Sequence, residues 1–275
     1  MIRLDQALVE RGLCESREKA KRAVMAGVVT VNGQLARKAS DSVKPEDVVA
    51  LTAAEKFVSR GGHKLEHALK HFQLEVAGAT AIDLGASTGG FTDCLLQYGA
   101  AKVFAVDVGQ GQLAWKLRRD KRVVVMEKVN ARAVRPGDFQ GGKRKAESGN
   151  REAEGDVPSS EIENRKLKIE NPPADLVVID CSFISLRKIL PAAVDLLRTS
   201  GNIVALIKPQ FEAGKPEVDK GEGVITDPAI HERVLRELEE FVARENQLRW
   251  RGVTESPLLG PAGNKEFLVL LEKIS

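Results

Sequence analysis

The sequence predicts an α/β protein, a doubly wound sheet preceded by a small α+β module. Three observations carry this reading. From Thr80 onward, short apolar runs alternate with helix-patterned stretches, as in a parallel sheet covered by helices. The first of these runs, residues 80–84, feeds a glycine turn, Gly85-Ala-Ser-Thr-Gly-Gly90, that opens a helix at Phe91. Ahead of the sheet, residues 1–52 combine two short helical patterns with Asn32-Gly33, a strong hairpin signal.

In the first module, Leu4, Ala7, Leu8 and Leu13 recur at helical spacing. Asp5 is placed to cap that helix and Gly12 to end it. Ser16 precedes a second helix over 17–26, whose apolar face is Ala20, Ala23 and Val24. Its other face carries Arg17, Lys19, Lys21 and Arg22, and Gly27 closes it. Strands are expected at 28–31 and 48–51.

Residues 53–58 read as a linker. Ser59-Arg60-Gly61-Gly62 then suits close approach of a backbone or ligand, and a helix is expected over 63–72. Lys64 lies at its start, where the helix dipole disfavours a cation. His63, His67 and His71 repeat every four residues, but no carboxylate or cysteine cluster completes a site, so no metal is expected.

The glycine turn is the centre of the chain. A strand, a glycine turn and a helix start make a nucleotide-binding arrangement, because free N–H groups face a ligand that glycine lets come near. Ser87 stands where a pyrophosphate would need a second glycine. The turn therefore favours a ligand without pyrophosphate, and S-adenosylmethionine (SAM) fits. Asp83 can hold its amino group or offset its sulfonium. Gly85, Ser87, Gly89, Gly90 and Phe91 complete this expected cofactor site. A second strand, 102–108, ends in Asp107, at the distance where such folds place the carboxylate that binds ribose hydroxyls. After a third strand at 123–126, Asn130 stands either to contact an adenine edge or to form a turn.

Residues 138–174 mix both charge signs with Gly, Ser and Pro and read as a flexible insertion. A fourth strand follows at 174–180, ending in Asp180, and then a helix over 186–199 entered or broken at Pro191, with Gly201 as its stop. A fifth strand, 202–207, leads to Lys208-Pro209, where the proline forces extended geometry. Asp227-Pro228 opens a long helix to Glu245. Strands at 248–255 and 266–273 finish the sheet.

Composition narrows the class. With 42 Lys and Arg against 39 Asp and Glu, the net charge of +3 permits a nucleic-acid partner without announcing one. Cys14, Cys94 and Cys181 are far apart, which points to a reducing compartment and away from disulfides or zinc. The N-terminus lacks the apolar core of a signal peptide, and no run approaches a membrane span. A soluble, cytoplasmic protein is expected.

Arg3-Leu4-Asp5, Ser16-Arg17-x-x-Ala20 and Gly27-x-Val-x-Val31-Asn32-Gly33 resemble the S-four RNA-binding domain, named after a ribosomal protein. The resemblance implies RNA contact through Arg3, Arg17, Lys21 and Arg22, mostly to phosphates. Arg60 is grouped with these contacts.

The rest resembles an FtsJ-type methyltransferase, and the whole chain resembles the TlyA family, which joins the two. The carrying motifs are Val58-Ser-Arg-Gly-Gly-x-Lys64, Asp83-Leu-Gly-Ala-Ser-Thr-Gly-Gly-Phe-Thr-Asp93, Asp107-Val-Gly-x-Gly-Gln-Leu113, Asp180-x-Ser-Phe183, Lys208-Pro-Gln-Phe-Glu212 and Gly260-x-x-Gly-Asn-Lys-Glu266. The long insertion departs from the family pattern. The resemblance implies SAM-dependent methylation of ribose 2′-hydroxyls in ribosomal RNA, free or in ribosomal subunits. It also implies a catalytic tetrad of Lys64, Asp180, Lys208 and Glu266, with Lys208 at the 2′-hydroxyl as base or orienting donor. An RNA-binding or assembly factor that keeps the fold is an alternative. A membrane-active hemolysin, a name some relatives carry, is not expected without a spanning segment.

Overall fold

The computed structural model describes residues 1–25, 27–52, 56–139 and 174–274. The insertion expected at 138–174 falls almost wholly outside them. The chain divides into two compact units, Met1–Lys56 and Phe57–Ser275, with the division inside the expected linker.

In the first unit, β1 (Ile2–Arg3) runs directly into α1 (Leu4–Glu10), and α2 (Arg17–Met25) follows. Leu4, Ala7, Leu8, Ala20 and Val24 from the helices bury themselves against Val29, Val43 and Val49. β2 (Val29–Val31) pairs antiparallel with β3 (Gln34–Leu35) and with β5 (Val49–Leu51). Asn32 and Gly33 join β2 to β3 at φ 51° and 79°, the positive pair that a tight hairpin turn requires. β1 also pairs with β4 (Ser42–Val43), a ladder too short to show a period in sequence.

The expected caps divide here. Ser16 Oγ accepts the Lys19 N–H at 3.3 Å, so it caps α2. Asp5 does not cap α1. The helix starts two residues earlier, at Leu4, which puts Asp5 inside its first turn, and its wholly buried carboxylate instead accepts from Arg3 and Arg17 at 3.1 Å each.

The second unit begins with α3 (Gly61–His71), then β6 (Thr80–Leu84), α4 (Gly90–Gln97), β7 (Lys102–Asp107), α5 (Trp115–Arg118) and β8 (Val123–Glu127). Beyond the insertion come β9 (Ala174–Ile179), α6 (Leu190–Leu196), β10 (Leu197–Ile207), α7 (Pro209–Glu212), α8 (Lys215–Lys220), α9 (Pro228–Arg244), β11 (Leu248–Glu255) and β12 (Phe267–Lys273). The sheet order is β11-β12-β10-β9-β6-β7-β8. β8, β7, β6, β9 and β10 run parallel, and β12 is antiparallel to both β10 and β11.

Strand alternation splits the core across the sheet. Ile82, Leu84, Phe104, Val106, Val177, Ile179, Ile203 and Ala205 face one side with residues of α6 and α9. Ala81, Val103, Ala105, Leu176, Val178 and Val204 face the other with α3 and α4. Asp227 caps α9 as expected, accepting the Ala229 N–H at 2.9 Å.

The helix expected over 186–199 is a correction. A single 3₁₀ turn, Leu186–Lys188, precedes α6, which is entered at Pro191 and ends at Leu196. The chain then joins β10 at once, because Leu197 already pairs with Ala174, and a bulge separates it from the ladder that resumes at Asn202. Gly201 closes that bulge and stops no helix. A Cβ there would lie 2.9 Å from the Arg198 carbonyl oxygen.

Candidate active site

The strand order reverses between β6 and β9, since the chain steps outward from β6 to β8 and then returns to β6's other side. Crevices for ligands form where such a reversal meets the carboxyl ends of strands. Here the two strand ends touch. Asp180 N–H donates to the Leu84 carbonyl at 3.0 Å. Gly85, at φ 89°, leaves so little room that a Cβ would stand 2.8 Å from the Asp180 carbonyl oxygen. Only glycine fits this turn without displacing the backbone.

Two adjoining cavities open at this edge, sharing Gly85, Ser87, Asp180 and Ser182. The larger, about 480 Å³, is lined by Asp107, Val108, Asn130, Ala131, Phe183 and Ile184 among others. Asp107 shapes its wall by accepting the Ser87 N–H at 2.8 Å and the Gly109 N–H at 2.6 Å. Each oxygen keeps a second lone pair for a ligand hydroxyl. Asn130 forms the turn offered as one reading of it. It lines the cavity, and its Oδ1 accepts the Arg132 N–H at 3.0 Å as a turn. Ser87, at φ 48°, tolerates the left-handed backbone expected of glycine.

The smaller cavity, about 260 Å³, holds all four tetrad residues, Lys64, Asp180, Lys208 and Glu266. They form two ion pairs. Lys208 Nζ lies 2.6 Å from Asp180 Oδ1 and donates to Ser182 Oγ at 3.0 Å. Lys64 pairs with Glu266, and both are buried. α3 begins at Gly61, two residues before its expected start, so Lys64 sits in the first turn pointing into the protein with its charge met. Glu266 Oε1 has no hydrogen-bond partner among the described residues. Gly260 leaves the space beside it, since a Cβ there would reach within 2.5 Å of that oxygen.

Gly85, Ser87, Gly90 and Phe91 line the smaller cavity. Gly90 also lets α3 and α4 meet at their starts, for a Cβ would lie 2.3 Å from Ser59 Oγ and 2.8 Å from Gly62 N. Gly89, at φ 96°, turns instead toward Leu113 and Leu117 and serves packing. Asp83 lies in neither cavity wall. Alternation along β6 points it with Ala81 toward α4, where it accepts the Thr92 hydroxyl at 2.6 Å. Burial, with Asp180 and Asp107 nearby, pushes its carboxyl up to about 7.

Of the residues expected to meet RNA, Lys21 and Arg22 are exposed on α2. Arg3 and Arg17 are half exposed and oriented by their shared bond to Asp5. Arg60 belongs to the second unit and lines the smaller cavity. Two residues went unassigned in the sequence although they lie in the quoted Asp180-x-Ser-Phe183 motif. Ser182 lines both cavities and holds Lys208. Phe183 is 90% exposed at φ 62°, a costly backbone for a bulky residue, and its ring lies 5.2 Å from that of Phe211.

Comparison with known proteins agrees with this architecture. Residues 57–273 match the FtsJ-like methyltransferase family, and residues 2–49 match the S4 domain, the S-four module named above. YqxC of Bacillus subtilis (strain 168) is 44% identical over 270 residues, covering 98% of this chain and 85% of its own. The 16S/23S rRNA (cytidine-2′-O)-methyltransferase TlyA of Mycobacterium tuberculosis (strain ATCC 25618 / H37Rv) is 42% identical over 275 residues, covering 98% of this chain and 89% of its own. A solved structure from Streptococcus thermophilus that carries a hemolysin name superposes with a TM-score of 0.68 at 41% identity, covering 99% of this chain and 88% of that one. Among the described residues no helix is long and apolar enough to cross a membrane. The chain belongs to the TlyA family, an S4 domain followed by an FtsJ-like methyltransferase domain.

Proposed function

We propose that the protein methylates a ribose 2′-hydroxyl of ribosomal RNA in the cytoplasm, using SAM. The observation that carries this is the convergence of Lys64, Asp180, Lys208 and Glu266 on one cavity, continuous with a second that has the donors and acceptors of a nucleoside site.

The residues fit the cofactor. Asp107 offers acceptors for ribose hydroxyls, and Val108, Ala131 and Ile184 offer apolar surface for an adenine ring. α3 and α4 begin at the smaller cavity, where their N–H groups and Arg60 suit a carboxylate. Asp83 supports the turn from below through Thr92. SAM, when bound, supplies a methyl already activated by its sulfonium.

The protein must then orient the hydroxyl oxygen and ease loss of its proton. Lys208 spends two of its N–H groups on Asp180 and Ser182, which leaves one for the 2′-oxygen. Glu266 pairs with Lys64 through Oε2 and holds that amine at the cavity wall. Phe183, exposed at the mouth, suits stacking of a nucleobase. Arg3, Arg17, Lys21 and Arg22 meet phosphates and position the RNA.

The test is transfer of labelled methyl from SAM to unmodified ribosomal subunits and to their naked RNA, followed by mapping of blocked 2′-hydroxyls. Label on a ribose supports the reading. Label on a base overturns the tetrad chemistry while keeping the cofactor.

A further inference from the structure

Glu212 belongs to the motif Lys208-Pro-Gln-Phe-Glu212, yet it lines neither cavity. It ends α7, the single turn that follows Lys208. Both of its carboxylate oxygens reach across to the neighbouring loop. Oε2 accepts the Ser185 hydroxyl at 2.6 Å, and Oε1 accepts the Leu186 N–H at 2.7 Å. Ser185 also accepts the Arg187 N–H at 3.2 Å, capping the 3₁₀ turn. Burial raises the Glu212 carboxyl above its usual range, and the Ser185 and Leu186 bonds oppose that rise.

The loop so held is the one that carries Asp180, Ser182 and Phe183. It leaves β9, and the Lys208 turn leaves β10, its parallel neighbour in the sheet. Three ties join the two loops. Lys208 bonds Asp180 and Ser182 at one end, Phe183 meets Phe211 in the middle, and Glu212 holds Ser185 and Leu186 at the other end. The Phe183 backbone, at φ 62°, gives the loop a reason to relax if released. A carboxylate with two hydrogen bonds in a partly buried setting is the tie best suited to prevent that.

We propose that Glu212 is a positioning residue for methyl transfer, clamping the Asp180 loop to the Lys208 turn so that the Lys208 amine is aimed at the acceptor. This rests on the reading of Lys208 as the group at the acceptor hydroxyl. A neutral amide at 212 can still accept the Leu186 N–H, but it must then meet Ser185 with its N–H2 and reverse that bond, which replaces two charge-assisted bonds by weaker neutral ones. A displacement on the order of 1 Å at the reacting groups costs up to about 100-fold in rate.

The experiment compares the parent with Glu212→Gln, Ser185→Ala and the double variant. The single-turnover rate of methyl transfer is read as total label in unmodified ribosomal RNA at saturating SAM and RNA, together with SAM affinity and the unfolding midpoint. Total label does not depend on which atom accepts the methyl, so mapping tests the ribose reading separately. A second readout needs no RNA: the carbon-13 signal of the Lys208 side-chain methylene beside Nζ, assigned by its absence in Lys208→Ala. We expect Glu212→Gln to slow transfer by about 10- to 100-fold with SAM affinity within about twofold, and to move the Lys208 signal. The double variant should be no slower than the worse single one, because both remove the same clamp. A lowered unfolding midpoint with transfer within about twofold of the parent and an unmoved Lys208 signal would show a purely structural role and overturn the proposal.

Discussion

Lys208 Nζ stands 2.6 Å from Asp180 Oδ1, an ion pair built by the ends of two adjacent parallel strands. Asp180 keeps a quarter of its side chain exposed while Lys208 is buried, so the lysine is the enclosed partner and the carboxylate meets solvent. Replacing the amine therefore removes the group proposed to meet the acceptor hydroxyl and leaves a carboxylate that still reaches solvent. Lys208→Ala should lower methyl transfer by about 100-fold or more while SAM and RNA binding stay near parental values. Transfer assays and equilibrium binding on the same preparation check this. Unchanged transfer would sink the catalytic assignment, and lost RNA binding would point to a docking role for Lys208.

The second pair behaves differently because both of its members are buried. Breaking Lys64–Glu266 from one side leaves an uncompensated charge in the interior. Lys64→Met alone should cost about 3–5 kcal/mol of stability. The double variant Lys64→Met with Glu266→Leu should recover most of that loss and remain inactive. Urea unfolding of the three proteins, alongside transfer assays, separates stability from chemistry. A double variant no more stable than the single one would refute the pairing argument.

Asp83 makes the methyltransferase unit sensitive to pH. Its carboxyl is raised from 3.8 to about 7 by burial, so between about pH 4 and pH 7 the folded state holds a proton that the unfolded chain releases. Stability from this group is therefore greatest below pH 4 and falls as pH rises to 7. Asp83→Asn should flatten this slope by up to about 1.4 kcal/mol per pH unit. Unfolding midpoints of both proteins at several pH values test this, and parallel curves across the window would refute it.

Asp5 works in the opposite direction. Arg3 and Arg17 hold its carboxyl down to about 2. Its contribution is complete above the ordinary carboxylate value and is lost as pH falls from about 4 to 2. Asp5→Asn should cost the first unit about 1–3 kcal/mol at neutral pH and leave Arg3 and Arg17 without a common anchor. Amide exchange within residues 1–56 of the full chain reads the stability, and RNA affinity reads the anchoring. Unchanged exchange rates would show that the two arginine bonds add nothing.

Much of this was legible in the chain itself. β6, the glycine turn and the start of α4 appear at their expected positions, because a run of apolar residues, glycines at φ 89° and 96° and a helical pattern are all local signals. Asp107, Asp180 and Lys208 could be assigned to strand ends for the same reason. The proline-entered α9 and the Asn32-Gly33 hairpin were likewise set by nearest neighbours.

What the tertiary structure alone decided is which of these groups meet. Glu266 joins the site because β12 is antiparallel to β10. With Ile207 opposite Phe267, the residue before the start of β12 falls at the same sheet edge as the residues after β10. No local pattern reveals that orientation, or the pairing of Lys64 with a carboxylate 202 residues away. The face on which Asp83 lies, the bulge that claims Gly201 and the reach of Glu212 to Ser185 likewise depend on strand pairing across the sheet. Residue type and spacing determined which chemistry the chain could perform. Register and direction of the strands, set by burial of both sheet faces together, decided where its parts converge.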